Sequence, residues 1–213
     1  MCFKLSNLYL TFGNTEIFKD VNIVIERGFN IIIGPSGSGK SSFLKILNLM
    51  ELPSSGTVLY KNRPLIEYIP SKIRSLCVLV RQKPVFALKK VEDNLKLPFS
   101  FKSNMHKRFD YKLLYELLDR FMLEKSILKK ESHTISGGEM QRLSFIRAVM
   151  LKPQVFLLDE VTSALDESMQ NSVFEYIKFL SENHICVVST HSNSAFRYAD
   201  SVFKIQDKGV VND

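Results

Sequence analysis

Across 213 residues there is no tryptophan, and cysteine and histidine are scarce, at three and four. Cys77, in Ser75-Leu76-Cys77-Val78-Leu79-Val80, and Cys186, in Ile185-Cys186-Val187-Val188, sit in apolar, strand-like runs and read as small core residues, not redox groups. His106, His133, His184 and His191 are scattered, with no cysteine or histidine at metal-ligand spacing, so no bound transition metal is expected. Long apolar stretches are missing as well. No run approaches the roughly 18–20 residues needed to span a bilayer. The opening Met1-Cys2-Phe3-Lys4-Leu5-Ser6 alternates too early for a signal peptide. The chain is therefore expected to stay in the cytoplasm. Repeats, low-complexity tracts, linkers and sustained heptads are also absent, and the ending at Asp213 leaves no expectation of a C-terminal regulatory domain.

What remains is a composition 45% hydrophobic and 24% charged, ordinary for a globular chain. At this length roughly 70% of the unfolded surface is buried on folding, enough for one substantial core. Lysine and arginine outnumber aspartate and glutamate by 29 to 22, for a net charge of +7. That excess favours an anionic environment: nucleotide, nucleic acid or an acidic membrane face. Charge alone leaves the three open.

The hydrophobic pattern predicts strands at 2–10, 21–25 and 29–33, the first two separated by the turn signal Gly13-Asn14. From Lys40 the period becomes helical, with Phe43, Leu44, Leu47 and Met50 on one face, and Pro53 and Gly56 end it. A further buried strand is predicted at 76–80. Between there and about Leu151 the character is helical, at 112–122 and 138–150. Strands return at 155–158, 185–189 and 201–205, with a helix at 167–180 between the first two. The expected fold class is α/β: a P-loop NTPase core of mixed sheet flanked by helices, with an N-terminal antiparallel β portion and an inserted α-helical lobe. One domain is expected over 1–213, its core lobe formed by 1–82 and 153–213 and its helical lobe by 83–152.

The chemistry concentrates in a few places. Gly34-Pro35-Ser36-Gly37-Ser38-Gly39-Lys40-Ser41 matches the P-loop pattern G-x-x-x-x-G-K-[ST], preceded by a strand and followed by a helix. Its glycines let backbone N–H groups approach phosphates, and the helix start adds its positive dipole end. Lys40 would neutralise the β- and γ-phosphates, and the Ser41 hydroxyl would sit on Mg²⁺. Asp159 ends an apolar strand, where a carboxylate is costly unless paired; a water-linked Mg²⁺ meets that need. Glu160 is then placed to accept a proton from an attacking water. Gln82 and His191 each end an apolar strand, suited to the metal's water and to the γ-phosphate respectively. A second phosphate-binding surface is offered by Ile135-Ser136-Gly137-Gly138-Glu139-Met140-Gln141-Arg142, a Ser-Gly-Gly turn opening a helix.

In this order and rough spacing, the P-loop, Gln82, the Ser-Gly-Gly signature, Asp159-Glu160, Ser163-Ala164-Leu165-Asp166 and His191 resemble the ATP-binding subunits of ABC transporters over nearly the whole chain. The resemblance implies an ATPase that binds ATP and Mg²⁺. Gly34 to Ser42 and Gln82 would hold ATP, Phe12 would stack on adenine, and Ser41, Gln82 and Asp159 would serve Mg²⁺. Glu160, His191 and Lys40 would be catalytic. It further implies a head-to-tail homodimer of two-fold symmetry. There Ser136, Gly137, Gly138 and Glu139 would reach the ATP held by the partner, and Asp166 would lie in the loop through which subunits sense each other. Three positions depart from the commonest pattern: Phe12 for tyrosine, Ile135 for leucine and Glu139 for glutamine. Glu139 adds negative charge at the signature helix start.

The same resemblance implies a multi-span membrane permease as partner, contacted through residues 83–91 including Phe86, and a peripheral position on the cytoplasmic face of the cell membrane. Arg120-Phe121-Met122-Leu123, Ser126-Ile127-Leu128, Val91 to Phe99 and Asp159 to Ser168 look most like the Fet-type iron-export ATPases. Subunits of lipid, lipoprotein or drug exporters and of small-solute importers are alternatives. A nucleic-acid or ribosome ATPase is disfavoured by the lack of a second ATPase domain, of a coiled coil and of a basic-aromatic stripe for stacking bases. Direct nucleic-acid binding is therefore not expected. Nor is a scaffold without catalysis, since Lys40, Asp159, Glu160 and His191 are all present.

Overall fold

The computed structural model describes residues 2–212. β1 (Cys2–Phe12) and β2 (Thr15–Glu26) form a long antiparallel hairpin through Gly13 and Asn14. It alternates as a half-buried strand pair should, with Phe3, Leu5, Leu8 and Leu10 inward, but the parity changes between Leu5 and Leu8. Asn7, at φ 46°, absorbs the extra residue. Its backbone N–H donates to Asn22 Oδ1 and its Nδ2 to Asp20 Oδ1, both at 2.8 Å, which fixes the bulge.

From β3 (Gly28–Ile33) the chain runs through the P-loop into α1 (Lys40–Leu47), then forms β4 (Ser55–Tyr60) and the two-residue β5 (Arg63–Pro64). These complete a four-stranded antiparallel sheet in the order β2-β1-β4-β5. α2 (Pro70–Leu76) leads into β6 (Cys77–Val80). Three helices follow: α3 (Val91–Lys96), α4 (Tyr111–Arg120) and α5 (Gly137–Met150). The chain closes with β7 (Val155–Asp159), α6 (Glu167–Ser181), β8 (Ile185–Ser189), β9 (Ser201–Gln206) and β10 (Gly209–Asn212).

The second sheet is mixed, in the order β10-β9-β3-β8-β7-β6, parallel except for the β10 edge. β7 and β8 are buried along their whole length, as central strands covered on both faces are. Their side chains divide by parity. Phe156, Leu158, Cys186 and Val188 join α4, α5 and α6 in one apolar cluster. Val155, Leu157, Ile185 and Val187 join α1 and the antiparallel sheet in another. Burial pushes both the Cys77 and the Cys186 thiols well up from their usual range, as inert core groups require.

Several expectations need correction at their edges. Leu76 ends α2, so the strand starts at Cys77. α1 stops at Leu47 because Leu49 turns to φ 56° and the Met50 N–H folds back to Lys45 O. Met50 therefore leaves the buried face and is 52% exposed. α4 stops at Arg120, with Met122 at φ 51° and outside the helix. α2, β4, β5 and β10 had not been anticipated. No helix among the described residues is long and apolar enough to cross a membrane.

The arrangement delivers the ends of β3, β6, β7 and β8 to one edge of the parallel sheet, the edge where open α/β sheets bind ligands. On the far side, Gly56 at φ 90° lies against the Asn7 bulge, where a Cβ would come within 2.2 Å of Asn7 O. Gly56→Ala should destabilise the protein by about 2 kcal/mol or more through strain and clash. Urea denaturation checks this, and a midpoint equal to the parent's would show that the bulge yields freely.

Candidate functional site

The P-loop joins the end of β3 to the start of α1. Gly39, at φ 101°, allows the loop to press against β2: a Cβ there would sit 2.6 Å from Ile17 Cγ2 and 2.8 Å from Phe18 Cζ. As the residue before α1 it offers no side-chain cap, and the first turn carries no acidic residue. The helix start thus keeps its N–H groups and its positive dipole end unneutralised. Lys40 is 6% exposed, and its Nζ donates to Gly34 O at 2.9 Å and to Pro35 O at 3.1 Å. Among the described residues it forms no ion pair. The Ser38 hydroxyl is buried with no hydrogen-bond partner among the described residues. A buried ammonium, an orphan hydroxyl and an uncapped helix start make a receptor for anionic oxygens. Pro35, Ser36 and Gly37 are exposed on the loop, Ser41 is exposed in the first turn of α1 and Ser42 beside it is half-buried. Phe12, 48% exposed, stands at the hairpin tip opposite Thr15.

Across the same edge, Asp159 is 9% exposed and accepts from Ser189 Oγ at 2.6 Å, again without a cation partner among the described residues. The backbone turns sharply at Glu160, a non-glycine residue at φ 46°. Its N–H donates to Ser189 O and Ser189 Oγ, both at 3.1 Å. That strained turn aims the Glu160 carboxylate away from the core, where two other predicted residues meet it. Gln82 Nε2 donates to Glu160 Oε2 at 2.6 Å, and His191 Nε2 lies 3.3 Å from Glu160 Oε1. A cavity of about 370 Å³ opens beside them, lined also by Thr162, Gln170, Thr190 and Ser192.

The signature turn stands apart from this group. Ser136 caps α5: the Glu139 N–H donates to Ser136 Oγ at 3.2 Å, and the Ser136 N–H donates to Glu139 Oε2 at 2.7 Å. Lys130 Nζ lies 3.5 Å from Glu139 Oε1. The Ser136 N–H, then Lys130, hold the Glu139 carboxyl below its usual range. Its stabilising effect is thus complete above the ordinary carboxylate pKa and fades as pH falls through the lowered value. Gly138 packs on the turn before α6, where a Cβ would be 3.2 Å from Ala164 O. Asp166 caps α6, accepting from the Met169 N–H at 2.9 Å.

Sequence reasoning missed three polar residues that build the site. Ser189 bonds both Asp159 and Glu160. Gln141, buried on α5, reaches Gln82 O and the turn at 163–164. Gln170 on α6 accepts from Ser192 Oγ, one residue beyond His191. Ser189 had a visible signal in its position at the end of a fully apolar strand beside His191.

Away from the sheet edge lies a groove of about 980 Å³ between α2 and the segment around Phe101. Lys72, Arg74, Lys102, His106 and Lys107 line it and no carboxylate does. Met50, Ile69 and Phe101 expose apolar surface within it. Burial holds the Lys107 ammonium below its usual pKa, and Nζ donates to Ser75 O at 3.1 Å. A smaller cavity that shares its walls extends to Arg81, Pro84 and Val85.

Known proteins bear on all of this. The family model described as ABC transporter matches residues 18–163, more than half of the chain. The probable iron export ATP-binding protein FetA of Escherichia coli (strain K12) is 36% identical over 95% of this chain and 90% of its own length. A putative hemin import ATP-binding protein HrtA of Staphylococcus haemolyticus (strain JCSC1435) is 33% identical over 97% of this chain and 98% of its own. The dimeric structure of MJ0796, a bacterial ABC transporter cassette, superposes with a TM-score of 0.87 at 28% identity, over 99% of this chain and 97% of that one. The same cassette in a dimeric post-hydrolysis state with ADP and phosphate gives 0.86 at 26% identity, over the same shares of the two chains. With the P-loop, Asp159-Glu160 and the signature turn arranged as described, the chain belongs to the ABC transporter family, as one of its ATP-binding, ATP-hydrolysing subunits.

Proposed function

We propose that this subunit works as a head-to-tail homodimer that drives a separate multi-span membrane permease from the cytoplasmic face of the membrane, exporting a metal ion, iron foremost. The observation that carries the hydrolytic part is the carboxylate of Glu160, set on a strained turn with Gln82 on one oxygen and His191 at the other. The substrate rests on the similarity to FetA, and the hemin named for HrtA is likewise an iron compound.

In this reading residues 1–82 and 153–213 hold the nucleotide and residues 83–152 form the lobe that reaches the partner. The backbone N–H groups of Gly34, Ser36, Gly37, Ser38 and Gly39 cradle the phosphates, with Pro35, which has no N–H, shaping the loop, and Lys40 turns from its carbonyl partners to the β- and γ-oxygens. Ser42 adds a donor at the helix start, and Phe12 stacks on adenine. Ser41, Gln82 and Asp159 offer an all-oxygen donor set, and Asp159 is a buried carboxylate with no cationic side chain paired to it among the described residues, so the residues fit a hard divalent ion such as Mg²⁺. When bound, Mg²⁺ supplies positive charge against the phosphate oxygens.

Glu160 accepts the proton of the attacking water, which requires Gln82 to release Oε2 first. His191, 55% exposed at its side chain, swings to the γ-phosphate. Ser136, Gly137 and Gly138 present the start of α5 to the partner's ATP, and Glu139 sets the local charge there. Asp166 anchors the turn through which the two subunits communicate. The basic groove and the adjoining segment 83–91, with Phe86 under Arg147 at 5.0 Å, form the docking face for the permease.

The following outcomes check this reading. Glu160→Gln should lower ATP turnover by at least about a hundredfold, as loss of a general base does, while still dimerising on ATP. Phosphate release and light scattering measure the two, and parental turnover would remove Glu160 from the chemistry. Purified on ATP from detergent-solubilised native membranes, that variant should bring down a polytopic membrane protein. Lys72→Glu with Lys102→Glu should abolish the association without changing nucleotide affinity, and recovery of ribosomes or DNA-binding proteins alone would refute transport. In vesicles containing both proteins, ferrous iron should raise ATPase activity, and stimulation by hemin but not iron would reassign the cargo. In the Glu160→Gln background, Glu139→Gln keeps the cap acceptor but removes a charge facing the partner's phosphates. It should tighten ATP-driven dimerisation about two- to fivefold, the scale of one charge at a helix start; weaker dimerisation would show that Glu139 acts only through the cap.

A further inference from the structure

Residues 97–109, between α3 and α4, form a compact knob. Phe99 and Phe109 clasp its two ends, their rings edge to face at 5.2 Å. Inside it Asn104 is buried: Nδ2 donates to Pro98 O at 3.0 Å, Oδ1 accepts from Ser75 Oγ, and the N–H donates to Phe101 O at 2.7 Å. The Lys107 N–H donates to Asn104 O at 2.8 Å, while its Nζ donates to Ser75 O at 3.1 Å. These bonds satisfy polar groups that would otherwise be costly to bury, and they fasten the knob to α2. What the knob then holds out to solvent is apolar. Phe101 is 52% exposed and Met105 72%.

The charge around these tips has one sign. No aspartate or glutamate occurs at 68–91 or at 97–109. Lys102, His106 and Arg108 are exposed on the knob itself, and Lys72 and Arg74 are exposed on α2. Exposed apolar tips interleaved with cations are the chemistry of a bilayer interface, where apolar groups enter the headgroup region and cations meet lipid phosphates. Cations drawn from separate segments suit a plane of anionic headgroups better than a single carboxylate. We propose that the knob is a membrane-interface anchor: Phe101 and Met105 enter the bilayer surface, and Lys102 and Arg108 pair with the phosphates of anionic phospholipids. Phe101 and Lys102 also line the groove assigned above to the permease, whereas Met105 and Arg108 stand outside it. The inference rests on the membrane placement proposed above but needs only lipid, not the permease.

The test sediments the whole subunit, without permease, with vesicles of phosphatidylcholine alone or of phosphatidylcholine and phosphatidylglycerol in equal parts. The subunit should pellet with the anionic vesicles only, and less as salt is raised. Met105→Asp with Arg108→Glu should lower its partition by about tenfold or more, at roughly fivefold per charge near an anionic surface. Both positions are exposed, so nucleotide affinity should stay parental. The chain has no tryptophan, so Met105→Trp supplies a single reporter. Its fluorescence should shift to the blue on anionic vesicles, while that of Phe179→Trp, an exposed position on α6 between Glu175 and Glu182, should not. Equal pelleting with both vesicle types, unchanged partition of the double variant, or no shift at residue 105 would overturn the anchor. The pull-down of a permease from detergent reads the proposed function separately: the Met105→Asp, Arg108→Glu protein should still recover it, and losing it there would show that the knob binds protein instead of lipid.

Discussion

Two buried charges without counter-ions govern this molecule. Lys40 and Asp159 stand at the same edge of the parallel sheet, 6% and 9% exposed, and neither is ion-paired among the described residues. Burying a charge in this way is unfavourable unless something neutralises it, and removing one member of a buried pair is what normally makes such a group costly. In the function proposed above the ligand supplies the missing members: phosphate oxygens for the ammonium and a divalent cation for the carboxylate. Within the chain, Lys40 leans on two carbonyls of its own loop and Asp159 on the Ser189 hydroxyl. The fold brings both groups to one edge of the parallel sheet, Lys40 at the start of α1 and Asp159 at the end of β7.

That constraint explains which parts were legible in the sequence. The strands that carry the charges are covered on both faces, so 29–33, 155–158 and 185–189 are unbroken apolar runs with a polar residue at the functional end. The P-loop is equally legible, because only glycine fits where Gly39 meets Ile17 and Phe18. Elements without such a signature were missed. α2 buries only Ile73 among its apolar residues, which leaves no helical period to read. β4 opens with Ser55, Gly56 and Thr57, and its burial begins only at Val58. Met50 was misplaced because the end of α1 is decided by the left-handed turn at Leu49, which an ordinary leucine does not announce.

The connecting residues were the least legible of all. A glutamine on a helix breaks no period, so Gln141 and Gln170 looked like any other polar positions, and only the tertiary structure shows what their amides reach. Glu139 is intermediate. As a departure from the commonest signature it announced an extra charge, but spacing it three residues after Ser136 also makes a capping box. The substitution thus has a local physical role in forming the helix start, whatever it does to affinity.

A tension follows from how tightly these parts are joined. Gln82 and His191 both engage the Glu160 carboxylate, so under the proposed function the proton acceptor has to be released from them. Releasing it demands movement of loops that are themselves tied, through Gln141, to the helix of the signature turn. Asn94, fully buried, adds a second tie: it bonds Leu88 and Lys90 in the segment after Gln82 and Ser132 in the segment before the signature. Force on the groove side and charge on the phosphate side therefore act on one connected body. Under the function proposed above, each contact that restrains Glu160 is loosened only when the surfaces flanking it are occupied, so a lone subunit is expected to stay idle.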